Sequence, residues 1–253
     1  MSVGTQMELQ ANLKALNLTT VARHLERTVR QARESGVDYE DFLLELTSTE
    51  LATRAENRLK RRLQESKFPL VKPLETFNLD AVPDLDLRLF REMASGRFIQ
   101  ERRNVVFLGR SGTGKTHMAT ALGIEACRQS YRTRFVTCYA LVNELIEARA
   151  EKNLQRLISR YARVDLLILD ELGYVPFSKE GAELLFQVLA ERHEKGSVII
   201  TTNLGFADWT KVFGDPVMTA ALLDRITHKA HIINCSWESY RLKQSLKERG
   251  KEK

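Results

Sequence analysis

The stretch GRSGTGKT, from Gly109 to Thr116, constrains this chain more than any other. It fits the pattern G-x-x-x-x-G-K-[ST]. Its flanks fit as well, because the apolar run NVVFLG (104–109) leads into it and the helix-like HMATALGIEAC follows. A strand that turns through glycines into a helix leaves several backbone N–H groups facing the turn. The helix N-terminus adds partial positive charge, so the turn becomes a cradle for phosphate. The cradle comprises Gly109, Arg110, Ser111, Gly112, Thr113, Gly114, Lys115 and Thr116, with His117 next along the helix. In such a loop Lys115 reaches the β- and γ-phosphates of a nucleotide and the Thr116 hydroxyl holds Mg²⁺. The plain alternative is a glycine-rich strand-to-helix turn with no ligand, against which the flanking strand and helix argue.

A phosphate loop of this kind belongs to a sheet. Four further short apolar runs have strand character: RFVTC (134–138), DLLILD (165–170), SVIITT (197–202) and AHIINC (230–235). Helical segments alternate with all of them, which predicts an α/β fold with a five-stranded parallel sheet covered on both faces. Residues 1–66 read differently, as helices only. Leu9, Leu13 and Leu16 recur at helical spacing, then Val21, Leu25 and Val29, with Gly36 as a stop. Asp38 opens a third helix with Phe42, Leu43 and Leu46. Thr47 to Glu50 has capping-box spacing before a fourth, which places Leu51, Ala55, Leu59 and Leu63 on one side. Pro69 and Pro73 then interrupt the pattern. The expected organisation is a small all-α N-terminal domain (1–66), a linker (67–80) and a nucleotide-binding domain (81–253), with a frayed tail KERGKEK.

Chemistry is expected at the strand ends. DLLILDE closes with Asp170 and Glu171. In phosphate-loop nucleotidases an acid at this place holds the Mg²⁺ shell, and a second can polarise the attacking water as general base. Two solvated acids in a strand-end loop are the bland alternative. Asn203, after SVIITT, is placed to position that water or to contact the γ-phosphate, or else only caps a turn. Arg225, in LLDRITHK, is harder to place within its own site. Supplied by a neighbouring subunit, it would stabilise charge during phosphoryl transfer; a salt bridge is the structural alternative. Arg241, in ESYRLK, is a candidate γ-phosphate sensor or a surface-helix residue. No N-K-x-D stretch supports guanine, and nothing reads adenine directly; ATP is inferred from the acid pair and from the resemblance described below.

Net charge is +6, which favours a polyanionic partner. Arg149, Lys152, Arg156, Arg160 and Arg163 step by three, four, four and three, which on a single helix aligns them as a rail for DNA phosphates. Leu154, Leu157, Ile158 and Tyr161 are free to pack. Arg54, Arg58, Lys60, Arg61 and Arg62 form a second basic face, for DNA or a protein partner. Solvated helix faces are the alternative for both. No base-reading motif is present, so little sequence specificity is expected. No apolar run reaches the roughly 18 residues of a membrane span. No signal peptide is visible, and Cys127, Cys138 and Cys235 are odd in number and unspaced, which points to reduced thiols and a cytoplasmic setting.

GYVPF after the acids, FADWTKVFGD after Asn203, LLDRITHKAHIINCSWESYRLK and the phosphate-loop segment together resemble the IstB family. These are AAA+ ATPases that help insertion-sequence transposases and are related to the DnaC helicase loaders. The resemblance covers essentially the whole chain, most specifically 67–242. It implies a Walker A motif at 109–116, Walker B at Asp170–Glu171, sensor 1 at Asn203, an arginine finger at Arg225 and sensor 2 at Arg241. It also implies ATP-dependent homo-oligomers with nucleotide sites between subunits, which bind and bend duplex DNA and recruit a cognate IstA-like transposase. About fifty residues follow Asn203, too few for a large helical lid, which agrees with the IstB and loader branch. The alternatives are a DnaC-like loader that binds single-stranded DNA and a small-molecule phosphate-loop kinase.

Overall fold

The computed structural model of the protein describes residues 3–77, 82 and 84–240. The expected tail and Arg241 lie outside the described residues. Two compact units are present, Met1–Arg61 and Arg62–Lys253.

The first unit holds α1 (Val3–Ala15), α2 (Thr19–Ser35) and most of α3 (Tyr39–Ser66). Its core is small: Leu13, Val21, Leu25 and Leu46, with Leu9, Val29 and Phe42 against it. Gly36 ends α2 in the left-handed conformation, as its position after the apolar repeat predicts. Leu16 falls outside the core and is exposed.

One expectation fails here. The third and fourth helices are a single helix, and no capping box forms at Thr47. The Thr47 hydroxyl instead donates back to the Leu43 and Leu44 carbonyls, a bond that fits inside a continuing helix. Glu50 is buried and caps a different helix, accepting the N–H groups of Thr20 and Val21 at 2.9 and 3.0 Å. Leu51, expected to pack, is 67% exposed. Ala55 is exposed too, while Leu59 and Leu63 are half-buried.

In the second unit, α4 (Leu87–Ala94) and α5 (Arg97–Gln100) precede β1 (Asn104–Gly109), α6 (Lys115–Arg128), β2 (Thr133–Thr137), α7 (Cys138–Ala150) and α8 (Leu154–Ala162). Then come β3 (Leu166–Leu172), α9 (Lys179–Arg192), β4 (Ser197–Thr202), α10 (Thr210–Phe213), α11 (Pro216–Thr227) and β5 (Ala230–Cys235). All strand pairs are parallel, in the order β2-β3-β4-β1-β5.

Alternate strand residues feed two apolar layers. Val106, Leu167, Leu169 and Ile200 face one, with residues of α7, α8, α9 and α11. Val105, Phe107, Leu166, Ile168 and Ile199 face the other, with residues of α4, α5 and α6. Burial on both faces explains why these strands read as unbroken apolar runs.

Buried Arg192 ties the far edge together. Its guanidinium donates to the carbonyls of Tyr161, Val164 and Ser197, and burial lowers its pKa to about 10. The stretch expected as a linker contributes packing: Phe68 meets Phe135 edge-on, with ring centroids 6.2 Å apart. No described helix is long and apolar enough to cross a membrane. All three cysteines are free and buried.

Candidate nucleotide site

β1 delivers the chain to the loop at Gly109, whose φ of 152° and tight approach to β5 suit only glycine, because a Cβ there would strike the Cys235 carbonyl. Gly114, at φ 87°, turns the chain into α6, so that Lys115 is the first helical residue. Lys115 is buried, and its ammonium donates to the carbonyls of Gly109 and Arg110, each at 2.7 Å. The cation therefore lies folded over the loop. The Thr113 hydroxyl also donates to the Arg110 carbonyl, at 2.9 Å, while Arg110 and Ser111 are exposed.

The acids arrive from β3. The Thr116 hydroxyl donates to both Asp170 oxygens, at 3.0 and 3.2 Å. Thr201, on β4, adds a second hydroxyl: it donates to Asp170 at 2.5 Å and accepts the Glu171 N–H at 3.0 Å. Burial raises the pKa of Asp170, against the pull of Thr201, Thr116 and Lys115 toward the carboxylate.

The register of β3 against β4 shifts between Leu169 and Leu172, so the strand bulges at the acids. Glu171 takes a φ of 61° there, a strained conformation that costs on the order of 1 kcal/mol and turns its side chain out to line the cavity while Asp170 stays buried. The bulge also carries β3 past Asp170 to Leu172, beyond its expected end. A hydroxyl beside a carboxylate is a hard-oxygen pair of the kind that Mg²⁺ takes with water and phosphate oxygens, so Thr116 and Asp170 fit that ion.

The cavity over the loop has a volume of about 520 Å³. Ser111, Gly112, Thr113, Gly114, Lys115, Thr116 and His117 line it. Pro69, Leu70, Phe77, Trp237 and Tyr240 line it as well. Phe77 meets the His117 ring edge-on at 4.9 Å. Burial and then the charge of Lys72 push the His117 pKa down, against a hydrogen bond to the Pro73 backbone.

The remaining candidates lie elsewhere. Asn203 is exposed, one residue beyond β4, and does not line the cavity. Arg225 donates to the Ala221 carbonyl of its own helix and covers the Phe186 ring at 5.2 Å. It shares a crevice with Asn104, which opens β1, so the length of that strand separates Arg225 from its own phosphate loop.

The expected five-residue rail is not one helix. The chain breaks at Glu151–Asn153, where Lys152 takes a φ of 59°; Arg149 lies in the last turn of α7 and Arg156 and Arg160 sit on α8, with Arg163 as its C-cap. Arg149 pairs with Glu180 at 3.3 Å and Arg160 with Glu144 at 3.2 Å. A groove of about 840 Å³ sets Arg156, Arg160 and Arg163 against Glu144, Glu147 and Glu151. It is larger than the cavity over the loop, yet it is open and holds none of the phosphate-loop chemistry. Ile158 and Tyr161 are buried and Leu154 and Leu157 pack behind them, as their spacing predicts.

On α3, Arg54 is committed to Glu50 and to the Asn17 carbonyl; Arg58, Lys60 and Arg61 are exposed. Arg62 is half-buried and lines a cleft of about 220 Å³ with Arg132, Arg134 and Arg160.

Sequence reasoning missed Thr201, Trp237, Tyr240 and Phe77. Only Thr201 left a signal, as the first of two threonines that close the strand after its apolar run VII, two positions before Asn203. The others contact the loop through chain folding that no local pattern encodes.

The parallel order β2-β3-β4-β1-β5, with a phosphate loop after β1 and acids at the end of β3, defines a nucleotide-binding fold of the AAA+ class. Solved structures agree. The DnaC helicase loader matches with a TM-score of 0.56 at 22% identity, over 64% of this chain and 96% of that one. AMPPCP-bound DnaA from Aquifex aeolicus matches with a TM-score of 0.58 at 19% identity, over 74% and 56%. Within that class, residues 11–248 match the family of IstB-like ATP binding proteins, and the chain belongs to that family. Relatives include the protein named as ATP-binding in insertion sequence IS21 of Pseudomonas aeruginosa, 38% identical over 95% of this chain and 91% of the relative. The corresponding protein of IS232 in Bacillus thuringiensis is 36% identical over 93% and 94%.

Proposed function

We propose that this protein binds ATP with Mg²⁺ in the phosphate-loop cavity and hydrolyses it, and that the nucleotide state governs its assembly on duplex DNA as the helper of an IstA-like transposase. The observation that carries the ATPase reading is the convergence of Lys115, Thr116 and Glu171 on one cavity, with buried Asp170 held against the Thr116 hydroxyl behind it. Lys115 leaves the two carbonyls it now covers and meets the β- and γ-phosphates. Thr116 and Asp170 hold the ion, which when bound neutralises phosphate charge. Glu171 orients water as general base.

Arg225 stands away from its own loop, which supports its use on a neighbour's nucleotide, and hence homo-oligomers with sites between subunits. Exposed Asn203 is then free to meet water or the γ-phosphate once the interface closes. Arg241, which lies outside the described residues, is assigned a γ-phosphate role from its match to the sensor 2 position of the family. Basic residues of α3 and of the α7–α8 region contact DNA phosphates. Membership of a family named from insertion sequences supports the transposition role.

The test measures phosphate release by the wild type and by Glu171→Gln, together with binding to duplex and single-stranded DNA in the presence of ATP. ATP-dependent duplex binding, with hydrolysis lost in Glu171→Gln, is expected. Preference for single-stranded DNA would replace the transposition reading with a helicase-loader one, and accumulation of a phosphorylated small molecule would indicate a kinase.

A further inference from the structure

The end of β5 and the run that follows it brace the phosphate loop at three points. β1 and β5 pair up to Gly109 opposite Cys235, where the Cys235 carbonyl fills the space a side chain on Gly109 would need. Two residues later the Trp237 indole N–H donates to the Thr113 carbonyl at 2.8 Å. The Tyr240 backbone N–H donates to the Gly112 carbonyl at 3.1 Å. Trp237 is buried against the α4–α6 layer, so its ring is fixed by packing before the hydrogen bond is counted.

A trans peptide points the carbonyl of one residue and the N–H of the next in opposite directions. Holding the carbonyls of Gly112 and Thr113 against Trp237 and Tyr240 therefore turns the N–H groups of Thr113 and Gly114 away from those residues. Both N–H groups belong to the turn that must receive phosphate oxygens, and a glycine-rich turn left alone samples many peptide orientations.

We propose that Trp237 and the Tyr240 backbone are positioning groups for nucleotide binding: they lock the peptide planes of residues 112–114 in the anion-accepting orientation before ATP arrives. The ordering that binding would otherwise impose on the loop is then already complete. Neither group touches the reacting atoms, so the effect falls on affinity and leaves the chemical step alone. The inference rests on the reading of the cavity as an ATP site.

A ring that merely fills the core predicts something different, because Trp237→Phe keeps an aromatic ring in the layer and removes only the donor and part of the bulk. The experiment measures the dissociation constant of a fluorescent ATP analogue, with KM and kcat for ATP and the melting temperature, in the full-length protein. Trp237→Phe is expected to weaken binding about threefold to tenfold, as loss of one hydrogen bond dictates, and to raise KM in step with kcat unchanged.

Tyr240→Pro, which lacks the N–H, is compared with Tyr240→Ala, which keeps it. Proline is expected to bind several-fold more weakly than alanine. This second pair decides the matter if Trp237→Phe folds poorly. Undiminished affinity in a folded Trp237→Phe, a change confined to kcat, or equal affinity of the proline and alanine variants would overturn the positioning role while leaving the ATP reading intact. A wild-type protein that binds no nucleotide overturns both.

Discussion

Thr116 and Asp170, 54 residues apart in the chain, meet at 3.0 Å with the threonine hydroxyl donating to the carboxylate. The contact joins the first turn of α6 to the end of β3, and its hydroxyl and carboxylate oxygens are the groups that would hold a hard cation such as Mg²⁺. Lys115, one residue before Thr116, completes the arrangement by covering the loop carbonyls of Gly109 and Arg110.

The lysine carries the first prediction. Lys115→Ala should bind ATP on the order of 100-fold more weakly, because a charge-assisted contact to phosphate is lost. Isothermal titration gives the affinity, and a melting curve close to that of the wild type separates this loss from misfolding.

Arg225 carries the second. Arg225→Ala should keep ATP affinity, since the arginine lies away from its own cavity, and hydrolyse at least about 100-fold more slowly. Mixing Arg225→Ala with Lys115→Ala subunits should restore part of the activity, because each supplies what the other lacks. No recovery over a range of mixing ratios would remove the in-trans assignment.

For DNA, the pairing of the basic residues ranks them. Arg149 is tied to Glu180, whereas no ion pair of Arg156 was found among the described residues. Arg156→Glu should weaken duplex binding more than Arg149→Glu, and should lower the slope of log affinity against log salt by about 0.9 if one phosphate contact is lost. Filter binding between about 50 and 200 mM salt measures that slope. An unchanged slope would count against α8 as a contact.

Glu50 sets the acid stability of the first unit. Burial alone would raise its pKa, but the N–H groups of Val21 and Thr20 together with Arg54 hold it below its usual 4.5. A lowered carboxylate pKa gives stability that is complete above 4.5 and is lost as pH falls below that value. Glu50→Gln should cost about 1 kcal/mol at neutral pH, as expected for a weakened helix cap, and should flatten the loss of α-helical signal below pH 4.5. Urea unfolding followed by circular dichroism at several pH values checks both.

Much of the fold was legible locally. β1, β4 and β5 have the bounds of their apolar runs, β2 begins one residue early, and β3 runs on because the bulge at Glu171 keeps it in the sheet. Less of the helical detail was legible. Thr47 has cap chemistry, yet the apolar contacts of Phe42 and Leu46 carry the helix through it. Arg149 and Arg163 have helix-face spacing, yet Lys152 breaks the helix between them.

The chain by itself determined the phosphate loop, the two acids and the five strands, because glycine conformational freedom, strand-end position and burial on both faces each leave a pattern within a few residues. Tertiary structure alone decided that Glu50 caps α2, that Thr201 holds both acids, and that Trp237 and Tyr240 grip the loop carbonyls. Each of those contacts joins a polar group to a partner far away in sequence. Such a pairing is specified by how whole elements pack, and no local spacing records it.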